Sequence, residues 1–567
     1  YFYVDYDVPV MLLKWGKYIG GSKLLGIDEK YFILGHYMIQ KRKNSYLVLP
    51  TNQKLINLYP FYNTSLYDAY RTHREIICQK LSMFPKLCFS DQEMQEWKED
   101  KRKREDFKDI DVFSGDVIKY NEMDVRATFG LLILLHDLYK FKKVHGLTIS
   151  GLAGAMVIGA NPNYQPFEIP RSYTSEFILM NLYKGGLFDT VVQGHITKVY
   201  KYDVNSMYPF FSSMLPKVEK VEVIEYPKGV DIEDMINRDV YFDGKQFHNV
   251  KEIHVYYGDF HQDNPTVVTK AKQFAVRVHN FKTAFFDFEA FRKITGKVYA
   301  EMIIHIDPTN HPFENVRKLY EERLKLKKAK DPREKSIKLI MNSFYGKFVE
   351  RLGSGASYQN IIYGALITAM GRTYIQQFPA YSYLTDSIIT PYKLPSHMVG
   401  EELGQFKLEG QGEAWILGNG MYVLEDPEEK MIKLRGYHPK KFGKYNEEEI
   451  KEMIVKFMVN NLAEGRRVKV IVIEDMMVKS EQILRNLISQ YGEQKFNEIV
   501  EYLGLMYPME KVVSPVIPKR HFRHIGKLWV GKTFNTPEAV LEENKKMHKL
   551  LQKMDSVYYN ELPALLS

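Results

Sequence analysis

The chain has 567 residues, of which 79 are basic and 70 acidic, giving a formal net charge of +9 at pH 7. A chain of this length can fold into several domains, each with its own core. No apolar run approaches the roughly 20 residues of a membrane-spanning helix, so no membrane partner is expected. The two cysteines, Cys78 and Cys88, are too few for a zinc module or a disulfide framework, which predicts a reducing compartment.

The first element is a predicted strand over residues 1–7. Alternate residues of a strand point to the same face, so Asp5 and Asp7 would project together. A buried strand rarely places two acids side by side without a use. This pair is therefore a candidate functional site.

Two further segments place an aromatic residue beside an acid. Residues 63–68 read Asn-Thr-Ser-Leu-Tyr-Asp and end on Asp68. Tyr120 and Asp124 lie one turn apart on the same side of a predicted helix. Each pattern alone is also typical of ordinary surface helices. The order of these acidic segments along the chain therefore has to decide between surface helices and a functional site.

The middle of the chain begins with a predicted turn, Tyr183-Lys184-Gly185-Gly186, followed by a strand over residues 196–204 that is rich in Val, Tyr and Thr. This strand delivers Asp203 into Asn205-Ser206-Met207-Tyr208-Pro209, where the proline is expected to stop it. Tyr208 is either a core aromatic residue at the end of the strand or an aromatic residue of a functional site near Asp203.

Residues 331–348 are predicted to form one helix with marked ends. Asp331 is a natural N-cap, Pro332 suits the first helical position, and Gly346 can end the helix. Two stripes run along it at helical spacing. The apolar stripe is Ile337, Ile340, Met341, Phe344 and Phe348, and the polar stripe is Lys335, Lys338, Asn342 and Tyr345. The polar stripe is either a solvated face or a binding face.

Three of these segments resemble motifs of one enzyme family. The string from Lys338 to Gly346, Lys-x3-Asn-Ser-x-Tyr-Gly, is similar to the fingers motif of family B DNA polymerases. Residues 202–209 resemble the D-x2-S-L-Y-P motif of the palm, with Met207 in place of Leu. Residues 381–388 resemble the Y-x-D-T-D-S hairpin, in which Asp386 matches the second aspartate and Leu384 replaces the first.

The resemblance implies roles for these residues. Asp203 and Asp386 would hold two Mg²⁺ or Mn²⁺ ions, about 3.5–4 Å apart, for phosphoryl transfer between dNTPs and primer-template DNA. Lys338 would neutralise the triphosphate, and Tyr208 would lie beneath the incoming sugar. Because the missing aspartate is the more peripheral one, activity is expected to survive with an altered metal dependence. The implied nucleotide contacts also include Arg323, Asn342 and Tyr345, and the implied DNA contacts include Ser206, Ser343 and Gly346.

In the same family, the three N-terminal segments resemble the motifs of a 3′–5′ proofreading exonuclease. The departure is Asp7, because the family has Glu there in D-x-E. The shorter carboxylate is expected to hold its metal less well. The resemblance implies that Tyr120 orients the attacking water. The implied metal ligands are Asp5, Asp7, Asp68 and Asp124.

Other features resemble the protein-primed branch of the family, found in bacteriophages and linear plasmids. Tyr183, Gly185 and Gly186 fit its Y-x-G-G segment, which links exonuclease to polymerase and touches the template strand. Residues 213–315 match the insertion that contacts the terminal protein. Only residues 349–360 stand where the second insertion would follow, which puts strand displacement and processivity in doubt.

The C-terminal third resembles the family less closely. The K-x-Y motif retains Tyr422 but has Gly420 in place of the lysine, and Lys433 is a candidate substitute for the DNA contact. The region after residue 440 contains basic runs that fit either an enlarged thumb or a solvated surface.

The implied fold is an α+β multidomain chain with an RNase H-like exonuclease and a right-hand polymerase. The expected segments are exonuclease at 1–185, palm at 186–212 and 376–440, a terminal-protein-region-1-like insertion at 213–315, fingers and adjoining palm helix at 316–375, and thumb at 441–567. The chain is expected to be a monomer in the cytoplasm of an infected host or in an organelle with a linear plasmid, and not to be secreted. The alternatives are a polymerase that uses ordinary primers or none, and a catalytically impaired DNA-binding relative.

Overall fold

The structure is a computed structural model, and the statements below refer to the part of the chain that it describes. Up to residue 183 it describes residues 22–24, 31–34, 37–42, 45–49, 53–56, 58–62, 64–103, 115–139, 149–159, 161–164, 167–170, 179 and 182–183. Beyond these it describes residues 185–224, 241–242, 247–248, 251–259, 267–268, 275–278, 297–350, 358–376, 378, 380–435, 445–463, 468–475, 506–513, 521–525, 528–532 and single positions within 542–549. Asp5, Asp7 and Asn63 lie outside these ranges.

Eleven α-helices lie within these ranges. They are α1 (Tyr59–Tyr62), α2 (Leu66–Lys80), α3 (Asp91–Lys103), α4 (Gly115–Tyr139), α5 (Ile149–Ala153), α6 (Met207–Ser213), α7 (Asn315–Lys328), α8 (Arg333–Ser343), α9 (Tyr345–Phe348), α10 (Ile361–Gln376) and α11 (Glu447–Ala463). None of the helices described is both long and apolar enough to cross a membrane.

The strands up to residue 259 are β1 (Ser22–Leu24), β2 (Tyr31–Leu34), β3 (Tyr37–Arg42), β4 (Ser45–Leu49), β5 (Gln53–Ile56), β6 (Phe188–Thr190), β7 (Gly194–Val204), β8 (Lys217–Val223), β9 (Tyr241–Phe242), β10 (Phe247–His248) and β11 (Glu252–Asp259). The later strands are β12 (Val267–Val268), β13 (Ala275–Val278), β14 (Lys297–Asp307), β15 (Ser382–Leu384), β16 (Ser387–Thr390), β17 (Phe406–Gly418), β18 (Met421–Glu425), β19 (Lys430–Leu434), β20 (Val468–Asp475), β21 (Met506–Val513), β22 (His521–Ile525) and β23 (Leu528–Lys532).

The chain divides into two compact units. The first comprises residues 1–156, 319–344 and 477–493, and the second comprises residues 157–318, 345–476 and 494–567. The helix that carries Lys338 therefore groups with the N-terminal region, whereas both aspartates of the palm-like motifs belong to the second unit.

The first unit contains a five-stranded antiparallel sheet in the order β1-β2-β3-β4-β5 and helices α1 to α5 with α8. Its described core is aromatic, since Trp97 is buried against Tyr70 and Phe89 at ring separations of 5.9 and 5.5 Å. Cys78 and Cys88 form a disulfide between α2 and the segment that follows it. The expectation that two cysteines are too few to form disulfides is therefore wrong, and the reducing compartment stays a prediction.

The second unit is built on a seven-stranded antiparallel sheet in the order β19-β18-β17-β7-β16-β15-β6. The predicted strand over 196–204 is confirmed as β7, whose Ile196, Val199 and Val204 are buried. Helix α10 is apolar around most of its surface, as expected for a helix packed in a core. A second sheet, in the order β13-β11-β14-β8, extends from the same unit.

Two local predictions need correction. The chain leaves β7 at Val204, and Pro209 lies inside α6, so the proline does not end the strand. The helix predicted over 331–348 is two helices, α8 and α9, which are separated at Phe344. The predicted ends are wrong, because Pro332 is the N-cap and Gly346 lies inside α9, although Asp331 Oδ1 accepts the Arg333 N–H at 2.9 Å. The buried apolar stripe and the exposed Lys335, Lys338 and Asn342 are confirmed.

Candidate functional site

The structure brings Asp203 and Asp386 together at one end of the seven-stranded sheet. Strands β7 and β16 are antiparallel neighbours, and Asp203 lies opposite Ser387. The Val204 N–H donates to the Asp386 carbonyl at 2.8 Å, which ties the turn that carries Asp386 to the end of β7. Two aspartates that are distant in sequence therefore occupy adjacent strand ends.

Backbone strain accompanies both aspartates. Ser206 has φ 49° and Thr385 has φ 72°, and they are two of the three non-glycine residues with positive φ in the described ranges. This region is costly for an L-residue, and more so for β-branched Thr. The surrounding structure holds the Thr385 turn, because the Thr385 N–H donates to the Leu187 carbonyl at 2.7 Å. Such strain is concentrated at functional sites in many proteins.

Tyr208 has its phenol near Asp386. The ring centroid lies 4.7 Å from that of Tyr345, which belongs to the same unit. Burial raises the pKa of the Tyr208 phenol, and the neighbouring Tyr345 and Asp386 raise it further, while Arg372 opposes them. The phenol therefore stays neutral. On the side of α10, a Cβ atom at Gly371 would lie 3.3 Å from Tyr208 Cε1, so the ring fits closely against that glycine.

The Tyr183–Gly186 segment lies against the same ring. Arg372 of α10 is buried, and its Nη1 donates to the Gly185 carbonyl at 2.8 Å. Burial lowers the pKa of the Arg372 guanidinium to about 10, while Tyr208 and Tyr183 oppose this shift. Sequence reasoning missed Arg372 and Thr385. Arg372 carried a usable signal, because it is the only charged residue in the otherwise uncharged sequence of α10.

An ion pair with one buried member lies close to Asp203. Lys201, two positions earlier on β7, pairs with Glu409 of β17, and their side chains are 5% and 30% exposed. Tyr422 of β18 is also buried, and its pKa is raised by burial and then by Glu409 and Asp203. Lys201, Glu409 and Tyr422 thus form a polar cluster beside the aspartate.

Removing one charge of this pair should destabilise the fold. Lys201→Met is expected to lower the free energy of unfolding by about 1 kcal/mol, because Glu409, which is partly exposed to solvent, would lose its ion-pair partner. Removing both charges, with Lys201→Met and Glu409→Gln, should restore part of the loss. Denaturant unfolding measures both effects, with Lys407→Met, an exposed lysine on the same sheet, as the control. Equal effects of the Lys201 and Lys407 substitutions would contradict this prediction.

The structure gives physical reasons for the two departures from the family motifs. Leu384 is 7% exposed and lies in β15 opposite Phe188, in an apolar place. Gly420 has φ 72°, and a Cβ atom there would lie 2.8 Å from Arg435 Cδ. The Arg435 guanidinium lies 3.4 Å from the Phe188 ring centroid. A lysine would not fit at Gly420. Lys433 lies opposite Tyr422 on β19 and is exposed.

The remaining predicted nucleotide contacts are in the first unit. Lys338 and Asn342 are exposed on α8, and Ser343 is half-buried. The Arg323 Nε donates to Glu334 Oε1 at 2.7 Å, and both side chains are mostly buried. Arg323 therefore braces α7 against α8.

Three of the predicted exonuclease residues are described, and they lie on α2 and α4. Asp68 Oδ2 accepts from Ser65 Oγ at 2.7 Å, and Arg71 lies 3.0 Å from its Oδ1. Asp124 Oδ1 accepts from Trp97 Nε1 at 2.8 Å. Tyr67 lies against the same Trp97, with ring centroids 5.1 Å apart. Tyr120 lies one turn before Asp124 on α4 and is half-buried.

The donor set at Asp203 and Asp386 fits a hard divalent cation. Mg²⁺ is usually held by one or two carboxylates together with substrate phosphates and water, not by a cage of protein ligands. Two carboxylates on adjacent strand ends meet that requirement. Within the described ranges, no three His, Cys, Asp or Glu side chains are grouped as a complete metal site.

Comparisons with known proteins identify the family. A family model described as DNA polymerase type B, organellar and viral, matches residues 42–358. The DNA polymerase of Acidianus bottle-shaped virus (isolate Italy/Pozzuoli) is 36% identical over 586 residues, which cover 99% of this chain and 85% of that protein.

Two solved structures are similar at a lower level. Phi29 DNA polymerase, in an orthorhombic crystal form, has 16% identity and a TM-score of 0.39 over 60% of this chain and 71% of its own. The family B DNA polymerase from the hyperthermophilic archaeon Pyrobaculum calidifontis has 12% identity and a TM-score of 0.27 over 78% of this chain and 56% of its own. The family assignment depends on the sequence matches, and by these the chain belongs to the organellar and viral type B DNA polymerases.

Proposed function

We propose that this chain is a DNA-directed DNA polymerase that copies a viral or linear-plasmid genome by two-metal nucleotidyl transfer. The observation that carries the proposal is the position of Asp203 and Asp386 at adjacent strand ends, where Val204 and Asp386 are hydrogen-bonded. Two bound divalent cations would activate the primer hydroxyl and stabilise the triphosphate and leaving pyrophosphate.

The side chains around the aspartates supply the positioning. Tyr208 and Tyr345 present two neighbouring rings, which suit contact with the sugar and base of an incoming nucleotide. The neutral Tyr208 phenol excludes a ribose 2′-hydroxyl by its bulk. Lys338 is exposed on α8 of the first unit, and its role in neutralising the triphosphate charge is proposed only from the resemblance to the fingers motif. Lys201 and Glu409 hold β7 to β17 and so fix the strand that bears Asp203.

Extension of a labelled primer on a DNA template, with Mg²⁺ or Mn²⁺, tests this proposal. We expect dNTP-dependent extension. The ratio of Mg²⁺ to Mn²⁺ activity should be altered, because Leu384 replaces the first aspartate of the hairpin motif. A second candidate function, a catalytically impaired DNA-binding relative, is favoured by the burial of Leu384 and the crowding at Gly420. Binding of primer-template DNA without extension under either metal would support that second function.

We infer further that a terminal protein primes synthesis. The insertion-like segment at 213–315 and the Tyr183–Gly186 segment support this inference by their resemblance to the protein-primed branch. Incorporation of a first labelled dNMP onto a protein hydroxyl, in the absence of any oligonucleotide primer, tests it. Extension that starts only from an oligonucleotide, with the terminal protein supplied, would contradict it.

The N-terminal region is proposed to be a 3′–5′ exonuclease at about residues 1–185. Asp5→Ala combined with Asp68→Ala is expected to remove degradation of single-stranded 3′ ends while sparing polymerisation, because the proposed metal ligands of the two activities are separate residues. Asp7→Glu should raise the nuclease rate by restoring the longer carboxylate. Gel assays of labelled oligonucleotides measure both effects.

The control for this experiment is Glu99→Gln, which changes an exposed acid of the same unit. It should leave nuclease activity unchanged. If neither the parent chain nor its Asp7→Glu variant has nuclease activity, the N-terminal region only binds DNA.

A further inference from the structure

Gly186 lies in a segment whose backbone is fixed on both sides. The Gly185 carbonyl accepts a hydrogen bond from Arg372 Nη1 at 2.8 Å, and the Leu187 carbonyl accepts one from the Thr385 N–H at 2.7 Å. Strand β6 then begins at Phe188, which lies opposite Leu384 of β15. Gly186 therefore cannot move away from its neighbours without breaking these contacts.

No side chain fits at Gly186. A Cβ atom there would overlap Tyr208 Oη and would lie 2.5 Å from Thr385 Cγ2 and 3.2 Å from Thr385 Cβ. Real Cβ atoms essentially never come within 3.0 Å of such neighbours. The φ angle of Gly186 is outside the left-handed region, so the glycine is required for space and not for its backbone conformation.

Neither neighbour can yield easily. The Tyr208 ring is close to Tyr345 on one side and to Gly371 of α10 on another. Thr385 is a β-branched residue at φ 72°, and the residue after it is Asp386, whose carbonyl holds the end of β7. A displacement of Thr385 would therefore move Asp386, and a displacement of Tyr208 would move its hydroxyl.

We propose that Gly186 is a positioning residue that fixes Tyr208 and the Thr385–Asp386 turn together. Selection of the sugar and placement of the metal-binding carboxylate are then coupled through one glycine. This inference rests on the proposed roles of Tyr208 and Asp386. It differs from the template-strand contact that the Y-x-G-G resemblance implies for the same residue.

Gly186→Ala is the direct test, measured by single-nucleotide incorporation. The kcat/KM for dNTPs is expected to fall by about 100-fold, as for a catalytic group displaced by about 1 Å. Discrimination against rNTPs should fall by about tenfold, because the ring no longer stands where the 2′-hydroxyl would project. Gly185→Ala is the matched control, since a Cβ there meets nothing within 4 Å. Whatever it does to DNA affinity, its discrimination ratio should equal that of the parent.

Two second substitutions separate the two contacts. Thr385→Ser removes Cγ2 and should recover most of the dNTP rate in the Gly186→Ala background. Tyr208→Phe removes Oη. The double variant Gly186→Ala/Tyr208→Phe should therefore have the same discrimination ratio as the Tyr208→Phe single variant. Thermal unfolding of the same variants measures the packing independently of activity. Each second substitution should change the Tm more favourably in the Gly186→Ala background than in the parent.

Two results would overturn the proposal, and a third would refute the gate role of Tyr208. Equal losses of primer-template affinity in Gly185→Ala and Gly186→Ala, with unchanged sugar discrimination, would assign the segment to the template strand and overturn the proposal. Absence of rescue in both activity and Tm would overturn it as well. A different result would be that the second substitutions rescue the Tm while Tyr208→Val keeps the sugar discrimination of the parent. That result would refute the proposed gate role of Tyr208 and leave the packing relation intact.

Discussion

Asp203→Asn and Asp386→Asn are each expected to reduce nucleotide addition by about 1,000-fold or more. Each substitution replaces a charged oxygen ligand with an amide of nearly the same volume, so the loss falls on metal binding and not on packing. Both side chains are half-buried at strand ends, and the hydrogen bond between Val204 and Asp386 uses only backbone atoms. The fold should therefore persist. Rapid-quench primer extension measures the rate, and a DNA-binding assay with the Tm verifies the folded state.

Glu425→Gln is the matched control for these variants. Glu425 is an exposed acid at the end of β18 in the same sheet, and it has no proposed part in the reaction. Its extension rate should equal that of the parent. Full-rate extension by either aspartate variant would refute the assignment of the active site.

Tyr208→Val is expected to admit ribonucleotides far better, while deoxynucleotide incorporation falls only moderately. The ring is expected to lie where the 2′-hydroxyl would project, so exclusion of that hydroxyl comes from the volume of the ring. If Tyr208 were only a core aromatic, both activities would fall together with stability, by at most about 3–5 kcal/mol for the loss of a large buried side chain. Single-nucleotide kinetics with matched rNTP and dNTP pairs, together with denaturant unfolding, distinguish the two cases.

Tyr374→Val provides the control for packing. Tyr374 lies in α10, is buried, and stacks on Phe406 at 5.4 Å. Its replacement should lower stability without changing the sugar ratio, because its ring belongs to the core. A Tyr208→Val variant that remains folded and active with parental sugar discrimination would remove Tyr208 from the proposed gate.

The sequence by itself determined the local elements and the order of the motifs. The apolar stripe from Ile337 to Phe348 is buried because helical spacing puts those residues on one side. Strand β7 and the hairpin of β15 and β16 form where the β-branched and aromatic residues occur. The ends of elements differ from the predicted ones. The end of β7 before Ser206 depends on a left-handed backbone conformation that these patterns do not encode.

Only the tertiary structure decided which residues meet around the aspartates. Arg372 bonds to Gly185, Lys201 pairs with Glu409, and Gly186 lies against Tyr208 and Thr385, although each set is far apart along the chain. The disulfide between Cys78 and Cys88 was missed for a related reason, since a count of cysteines carries no distance between them. Periodicity and propensity describe neighbours within one element. Contacts between elements depend on strand order, register and available volume, and these arise only when the whole chain packs.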